Sequence, residues 1–221
     1  MLILYGKTRT WEYWQHQTDK KEPYVSVIKA HATTLYGGTK HDIVLRPLSD
    51  EHLPLLYKWN ADPEVLYWTD GGEDKLHSHD KDSVHKIYGG VSQNAFCFLI
   101  ETDGVPVGEC WLQRMNLKHV LEMYESSVDV RRIDMMIGEK EYWNKGIGSE
   151  FIPMLIDFAF NGEQVDVLHC LCEDYNIRSR RMWEKTGFTL ILSEDLAQPQ
   201  KGKYQYHYRL TAEDYLTNRR I

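Results

Sequence analysis

The sequence is poor in cysteine and has no long apolar run. Its four cysteines are Cys97, Cys110, Cys170 and Cys172. None forms a C-x-x-C pair, so the usual zinc and dithiol signatures are missing. They read as buried free thiols of a cytoplasmic protein, and no metal site is expected. No stretch approaches the roughly 18 apolar residues that a membrane helix needs. The opening "MLILYGKTRTWEYW" has neither a long apolar segment nor a small-residue cleavage site, so no signal peptide is expected. There is no internal repeat and no low-complexity tract.

What the chain does have suits a packed domain. Hydrophobic residues make up 42% and charged residues 27% of 221, enough for a core and too apolar for global disorder. The net charge of −7 is unevenly spread. Residues 62–82, "DPEVLYWTDGGEDKLHSHDKD", carry seven carboxylates against two lysines. Such a window repels nucleic acid and attracts a cationic small molecule. His77, His79 and His85 show no recognised ligand spacing and read as surface or loop residues.

Along the chain, residues 1–41 read as an N-terminal extension, with a strand or two expected in "EPYVSVIKAH" and a turn-rich linker in "YGGTKHD". Residues 42–221 read as one α/β domain. "DIVLRPLS" predicts a strand, and Ser49 caps a helix over "DEHLPLLYKWNAD". A further helix is expected near Lys81–Tyr88. Asp103-Gly104 between two apolar runs predicts a hairpin. "SSVDVRRIDMMIG" predicts the next strand and "SEFIPMLIDFAF" a helix in which Pro153 is awkward. "QVDVLHCLCED" predicts a strand, and Asn176 opens a helix that Gly187 closes. "FTLILSED" and "KYQYHYRLT" predict a final antiparallel pair.

The segment "EKEYWNKGIGSE" spends two glycines, Gly146 and Gly148, between a strand and a helix. The first N–H groups of a helix are unsatisfied and carry partial positive charge. Glycines there remove side chains and let a diphosphate approach those N–H groups. A plain strand-to-helix turn is the other reading, and a lone G-x-G does not decide between them.

The neighbours of that loop do decide. The order strand, "YWNKGIGSE", helix, strand, "NIRSRRMWEKTGF" resembles the GCN5-related N-acetyltransferase (GNAT) family. Within it, "VRRIDMMIGEKEYWNKGIGSEFI" and "YWTDGGED" are similar to the aminoglycoside 6'-N-acetyltransferases. The resemblance runs from about Ile43 to Leu210 and leaves the first 40 residues unmatched. It implies the GNAT fold, a mixed, mostly antiparallel sheet whose fourth and fifth strands splay apart, with helices on both faces. It implies acetyl-coenzyme A as cofactor. Met135, Met136, Ile137, Trp143, Asn144, Lys145, Gly146, Ile147, Gly148, Ser149, Asn176, Ser179 and Trp183 are then the cofactor-binding candidates. Two positions depart from the family pattern. Trp143 stands where the loop usually has Gln or Arg. Trp183 stands where a Tyr is usual, and an indole is no acid. Tyr142 or Tyr175 could substitute, or no acid is needed.

Acetyl transfer to an amine needs a base, and an oxyanion donor. The resemblance puts Asp134 forward as the base, with an ion pair to Arg131 or Arg132 as the structural alternative. The oxyanion donor is expected to be a backbone N–H near Met136. Tyr67, Trp68, Asp70, Glu73, Asp74, Tyr124 and Asp129 are the candidate acceptor-binding residues, offering carboxylates and aromatic faces to a cation. The expected partner is a cationic small-molecule amine, foremost an aminoglycoside, bound by a monomer or homodimer. A siderophore hydroxylysine-type amine, a polyamine or a protein N-terminus stays open on the same fold. So does a non-catalytic acyl-coenzyme A binding module.

Overall fold

The computed structural model describes residues 26–70, 77–196 and 201–218. Eight strands form one sheet in the order β1-β2-β3-β4-β5-β6-β8-β7. They are β1 (Leu35–Gly37), β2 (Ile43–Pro47), β3 (Ala95–Thr102), β4 (Val105–Arg114), β5 (Val130–Ile137), β6 (Val167–Glu173), β7 (Thr189–Asp195) and β8 (Tyr204–Thr211). Every neighbouring pair is antiparallel except β5 and β6. The β3–β4 hairpin turns at Asp103-Gly104, both with positive φ of 52° and 78°. That is the geometry the Asp-Gly pair favours.

Helices cover both faces. On one lie α1 (Leu53–Ala61), α2 (Pro63–Thr69) and α3 (Lys81–Val91), whose buried Trp59, Leu56, Val65 and Tyr88 pack on Cys97, Leu99 and Met136 of the sheet. A short α4 (Lys118–Leu121) joins β4 to β5. On the other lie α5 (Ile147–Asp157) and α6 (Ile177–Lys185), whose Phe151, Ile152, Leu155 and Trp183 meet Phe98, Cys110, Ile133 and Cys170. A last helix, α7 (Ala212–Asn218), follows β8. Pro153 sits inside α5, and the helix passes directly into a π turn at Phe158–Gly162.

Three local expectations change. Residues 26–34 form no strand; the strand is Leu35–Gly37, inside the stretch expected as a linker. Residues 63–69, expected as an acidic loop, form α2, because Asp62 caps Glu64 N–H and Pro63 fills the first helical position. The splay falls between the fifth and sixth strands, because Leu35–Gly37 adds one strand at the sheet edge. Residues 26–41 are bound into the domain. The Asp50 carboxylate accepts from Val27 and Ile28 N–H, and Leu35 is buried in the core under α5.

All four cysteines are buried and free. Gly138 is required by packing, since a Cβ there would lie 2.1 Å from the Trp59 ring.

A polar relay runs through the far end of the sheet. Tyr124 O–H donates to His169 Nδ1 (2.7 Å), His169 Nε2–H to His207 Nδ1 (2.9 Å), and His207 Nε2–H to Glu194 (3.1 Å). This one direction satisfies every member with both imidazoles neutral. Burial, then His207, Arg209 and His119, depress His169 from 6.5 to about 4. Above pH 6.5 the imidazole is neutral folded and unfolded. As pH falls, the unfolded chain takes up the proton first. The fold should therefore lose stability between about 6.5 and about 4, at up to ~1.4 kcal/mol per pH unit. Urea midpoints across that window check this, with H169N expected to flatten the slope while lowering absolute stability.

Candidate active site

The central opening follows from how briefly β5 and β6 pair. Only Val130 with Val167 and Arg131 with Leu168 are in register, and the strands then diverge. Ile133 N–H points across the widening gap to Cys170 Sγ at 3.4 Å. A cleft of ≈ 1080 Å³ fills the wedge and extends over both ends of β5. Backbone N–H groups alternate in direction along a strand. Since Ile133 faces the gap, Met135 and Ile137 face it too, and Met136 faces β4, where its ladder partner is Glu109. Of the N–H groups near Met136, those of Met135 and Ile137 are the ones that face the gap.

At the C-terminal end of β5 the chain turns into the glycine loop. Trp143 Nε1–H donates to the Ile137 carbonyl at 2.7 Å and ties the loop to the strand. Asn144 and Gly146 have φ of 61° and 81°, and Gly146 is the N-cap of α5 with no side chain capping the helix. A Cβ at Gly146 would meet nothing within 4 Å and would project into open space. One at Gly148 would make an ordinary 3.5 Å contact with Met182. The helix start therefore presents N–H groups to a bare cradle.

The α6 helix adds charge. Arg178, Arg181 and Lys185, spaced i, i+3 and i+7 on one stripe, line the same cleft. The Arg178 guanidinium lies over both the Trp68 ring (4.7 Å) and the Trp143 ring (5.2 Å). Trp143 thus offers no direct anion donor but holds an arginine at the loop. Asn176 is fully engaged, capping Ser179 N–H at 3.1 Å and donating to the Trp68 carbonyl at 2.8 Å. Lys145 lies outside the cleft lining, its ammonium 4.9 Å from the Tyr142 ring centre.

The other half of the cleft is acidic and aromatic. Trp68, Asp70, Glu109, Trp111, Asp134 and Tyr175 line it. Asp134 and residues 68–70 thus share one cavity. Asp134 Oδ2 lies 2.7 Å from Arg132 Nε, so the base candidate and its structural alternative, an ion pair, coexist. Burial raises the Asp134 carboxyl above its ordinary range, and Arg132 opposes this. Asp70 Oδ2 is 2.9 Å from His77 Nε2 and 3.3 Å from His79 Nε2; both histidines are half-exposed loop residues, and His79 also lines the cleft. Tyr175 donates to the Tyr67 carbonyl (3.1 Å), and burial raises its hydroxyl further. Its proton is thus engaged and held more tightly than that of an ordinary tyrosine.

Three acceptor candidates lie elsewhere. Tyr67 supports the wall from behind, its ring 4.6 Å from Lys201 Nζ. Tyr124 is committed to His169, and Asp129 holds Arg131 at 2.9 Å. Neither is among the residues that line the cleft. Glu73 and Asp74 lie outside the described residues. The cleft lining also holds Glu109, Trp111, Arg178, Arg181 and Lys185, which the sequence reading did not put forward as site residues, and Arg132, which it named only as an ion-pair partner. The helical spacing of Arg178, Arg181 and Lys185 was a legible signal.

Comparison with known proteins agrees with this geometry. The acetyltransferase (GNAT) domain model matches residues 42–189. The chain belongs to the GNAT acetyltransferase family. Aminoglycoside N(6')-acetyltransferase type 1 of Klebsiella pneumoniae is 24% identical over 168 residues, 72% of this chain and 83% of the relative. The crystal structure of aminoglycoside acetyltransferase AAC(6')-Ib with coenzyme A has a TM-score of 0.67 at 18% identity, covering 80% of this chain and 99% of the other. A ribosomal L7/L12 alpha-N-protein acetyltransferase, RimL, with coenzyme A has a TM-score of 0.61 at 15% identity, covering 80% and 97%. These last two likenesses concern the fold.

This GNAT enzyme is an N-acetyltransferase, and its cofactor is acetyl-coenzyme A. The residues present fit that group. The uncapped α5 start and its glycine cradle would hold the diphosphate, with the α6 cations close by. The Trp183 indole N–H is buried, lacks a partner and belongs to a cleft-lining residue, which gives the cofactor's polar groups a donor that the fold leaves unused. Among the described residues no helix is long and apolar enough to cross a membrane.

Gly148→Ala separates ligand approach from folding, because its new methyl meets only an ordinary contact. Melting should change by less than ~0.5 kcal/mol, while acetyl-coenzyme A affinity by calorimetry should fall about tenfold. Gly146→Ala should lose affinity and also about 1 kcal/mol of stability, from its left-handed φ.

Proposed function

We propose that this enzyme acetylates a primary amine of a polycationic small molecule, foremost an aminoglycoside, with Asp134 as the base. The supporting observation is the division of one cleft into a cationic half and an anionic half. Arg178, Arg181 and Lys185 stand at the loop end, and Asp70, Glu109 and Asp134 at the other. A polyanionic donor and a polycationic acceptor are each drawn to their own end. The tryptophan and tyrosine faces around the acids suit sugar rings and ammonium groups.

Bound acetyl-coenzyme A supplies an acetyl group activated as a thioester. The acceptor arrives as an ammonium and must lose a proton before nitrogen can attack. Asp134 takes that proton. Its ordinary affinity for protons is too low for this work at neutral pH, and burial corrects it in the required direction. Arg132 keeps the carboxylate charged and aimed. The wedge-facing N–H groups of Met135 and Ile137 would stabilise negative charge on the acetyl oxygen. Overall the amine becomes an amide, the thioester becomes a thiol, and one proton is released.

Thiol release with kanamycin as acceptor tests the reading. Turnover is expected, with Asp134→Asn lowering kcat/KM by roughly 10²–10³-fold and leaving acetyl-coenzyme A affinity nearly unchanged. No turnover on kanamycin or related aminoglycosides would reject that acceptor class. Full activity in D134N would reject the base.

A further inference from the structure

Strand β4 carries one carboxylate inside an apolar run, Glu109 in "VPVGECWLQ". The residue is 4% exposed and lines the cleft. Its Oε2 is buried without a hydrogen-bond partner, and its Oε1 has a long 3.4 Å contact from the Tyr88 hydroxyl. The Trp111 indole N–H, two residues along on the same face, is likewise buried without an aligned partner. A buried carboxyl that serves only the fold is normally paired or hydrogen-bonded. Among the described residues no cation pairs with Glu109. The Trp111 indole approaches the Glu109 carboxyl without an aligned hydrogen bond, so the carboxyl in this cavity wall is only weakly engaged.

The ladder sets the placement. Glu109 is opposite Met136, and Trp111 is opposite Asp134. Opposed residues share a face, so Glu109 and Asp134 are diagonal neighbours, about 7 Å apart between Cβ atoms. That gap admits one ammonium nitrogen between two carboxyl groups. Glu109 is also one ladder step nearer the glycine loop than Asp134, level with the gap-facing N–H groups of Met135 and Ile137. Asp134 is already drawn to Arg132, whereas Glu109 is not.

We propose that Glu109 is a second acceptor-binding carboxyl, whose Oε2 accepts a hydrogen bond from the same substrate amine that Asp134 deprotonates. The inference rests on the reading of this cleft as an amine site. With one N–H directed to Glu109 and one proton passed to Asp134, the nitrogen lone pair is left facing the gap between β5 and β6. Before the acceptor enters, burial and the neighbouring Asp134 hold the Glu109 carboxyl well above its ordinary range. Tyr88, Cys97, Asp134 and, beyond it, Arg132 are the groups that face it. Arrival of a cation therefore displaces a proton from Glu109.

Calorimetry of kanamycin binding in buffers of different ionisation enthalpy, with wild type and the isosteric Glu109→Gln, tests this. Wild type should release close to one proton at neutral pH. E109Q should release none, bind kanamycin at least tenfold more weakly, and keep its acetyl-coenzyme A affinity within twofold and its melting temperature undiminished. Equal kanamycin affinity, proton release and kcat/KM in E109Q would overturn the Glu109 role while leaving the amine reading intact. A parallel loss of acetyl-coenzyme A affinity would mark Glu109 as structural and also overturn it. If wild type neither binds nor acetylates kanamycin or spermidine, the amine reading falls and this inference falls with it.

Discussion

The structure depends on the brevity of the β5–β6 pairing. Two registered pairs fasten the strands, Ile133 N–H then reaches Cys170 Sγ, and the N–H groups of Met135 and Ile137 beyond it face the gap without a ladder partner. A continuous ladder would have consumed the N–H groups of Met135 and Ile137 and closed the cleft. The divergence is sustained from both faces. Ile133, Cys170 and Trp183 fill the α5–α6 side, and Met136 packs among Trp59 and Leu99 on the other. Gly138 lets Trp59 press against the end of β5, so the strand is held rigid where it opens. The exposed backbone costs little, because the gap is wet or ligand-filled and its N–H groups need not stay unpaired.

The two tryptophans that depart from the family pattern have different physical consequences. Trp143 exchanges a loop side chain that could reach an anion for a ring that parks Arg178, so the positive charge enters from α6 instead. It also bonds Ile137 and fixes the exit of β5. Arg178 lies over Trp68 as well, so α2 and the glycine loop are linked through one cation. Trp183 keeps a donor at the cleft but no proton to give.

Much of this was legible in the sequence, for identifiable reasons. The Asp-Gly hairpin, the Asn176 cap and the glycine loop are local signals, set by backbone sterics within a few residues. Periodicity separated β5 from α5 for the same reason. Helix α2 was hidden because its sequence reads as an acidic, aromatic loop, and only the Asp62-Pro63 start betrays it. Tyr124 and Asp129 are engaged with His169 and Arg131, partnerships between distant segments that proximity in sequence to β5 does not reveal. Glu109 was invisible for a deeper reason. A carboxylate in a strand looks like an exposed position until the cross-strand register shows which face it shares.

That register also explains why the acceptor end tolerates unsatisfied groups. Glu109 Oε2 and the indole N–H groups of Trp111 and Trp183 are buried and lack partners. Each would cost on the order of 1–3 kcal/mol if it stayed that way. These three lie on the cleft walls, whereas Thr102 Oγ1, Gln113 Oε1 and Arg180 Nε lack partners outside that lining. Elsewhere the interior pairs its polar groups, as in the four-member relay from Tyr124 to Glu194. A fold that satisfies a buried tyrosine and two histidines in sequence has the means to satisfy a carboxyl and two indoles. Of the groups left open, those on the cleft wall are the ones a bound ligand could satisfy, which is what separates them from Thr102, Gln113 and Arg180.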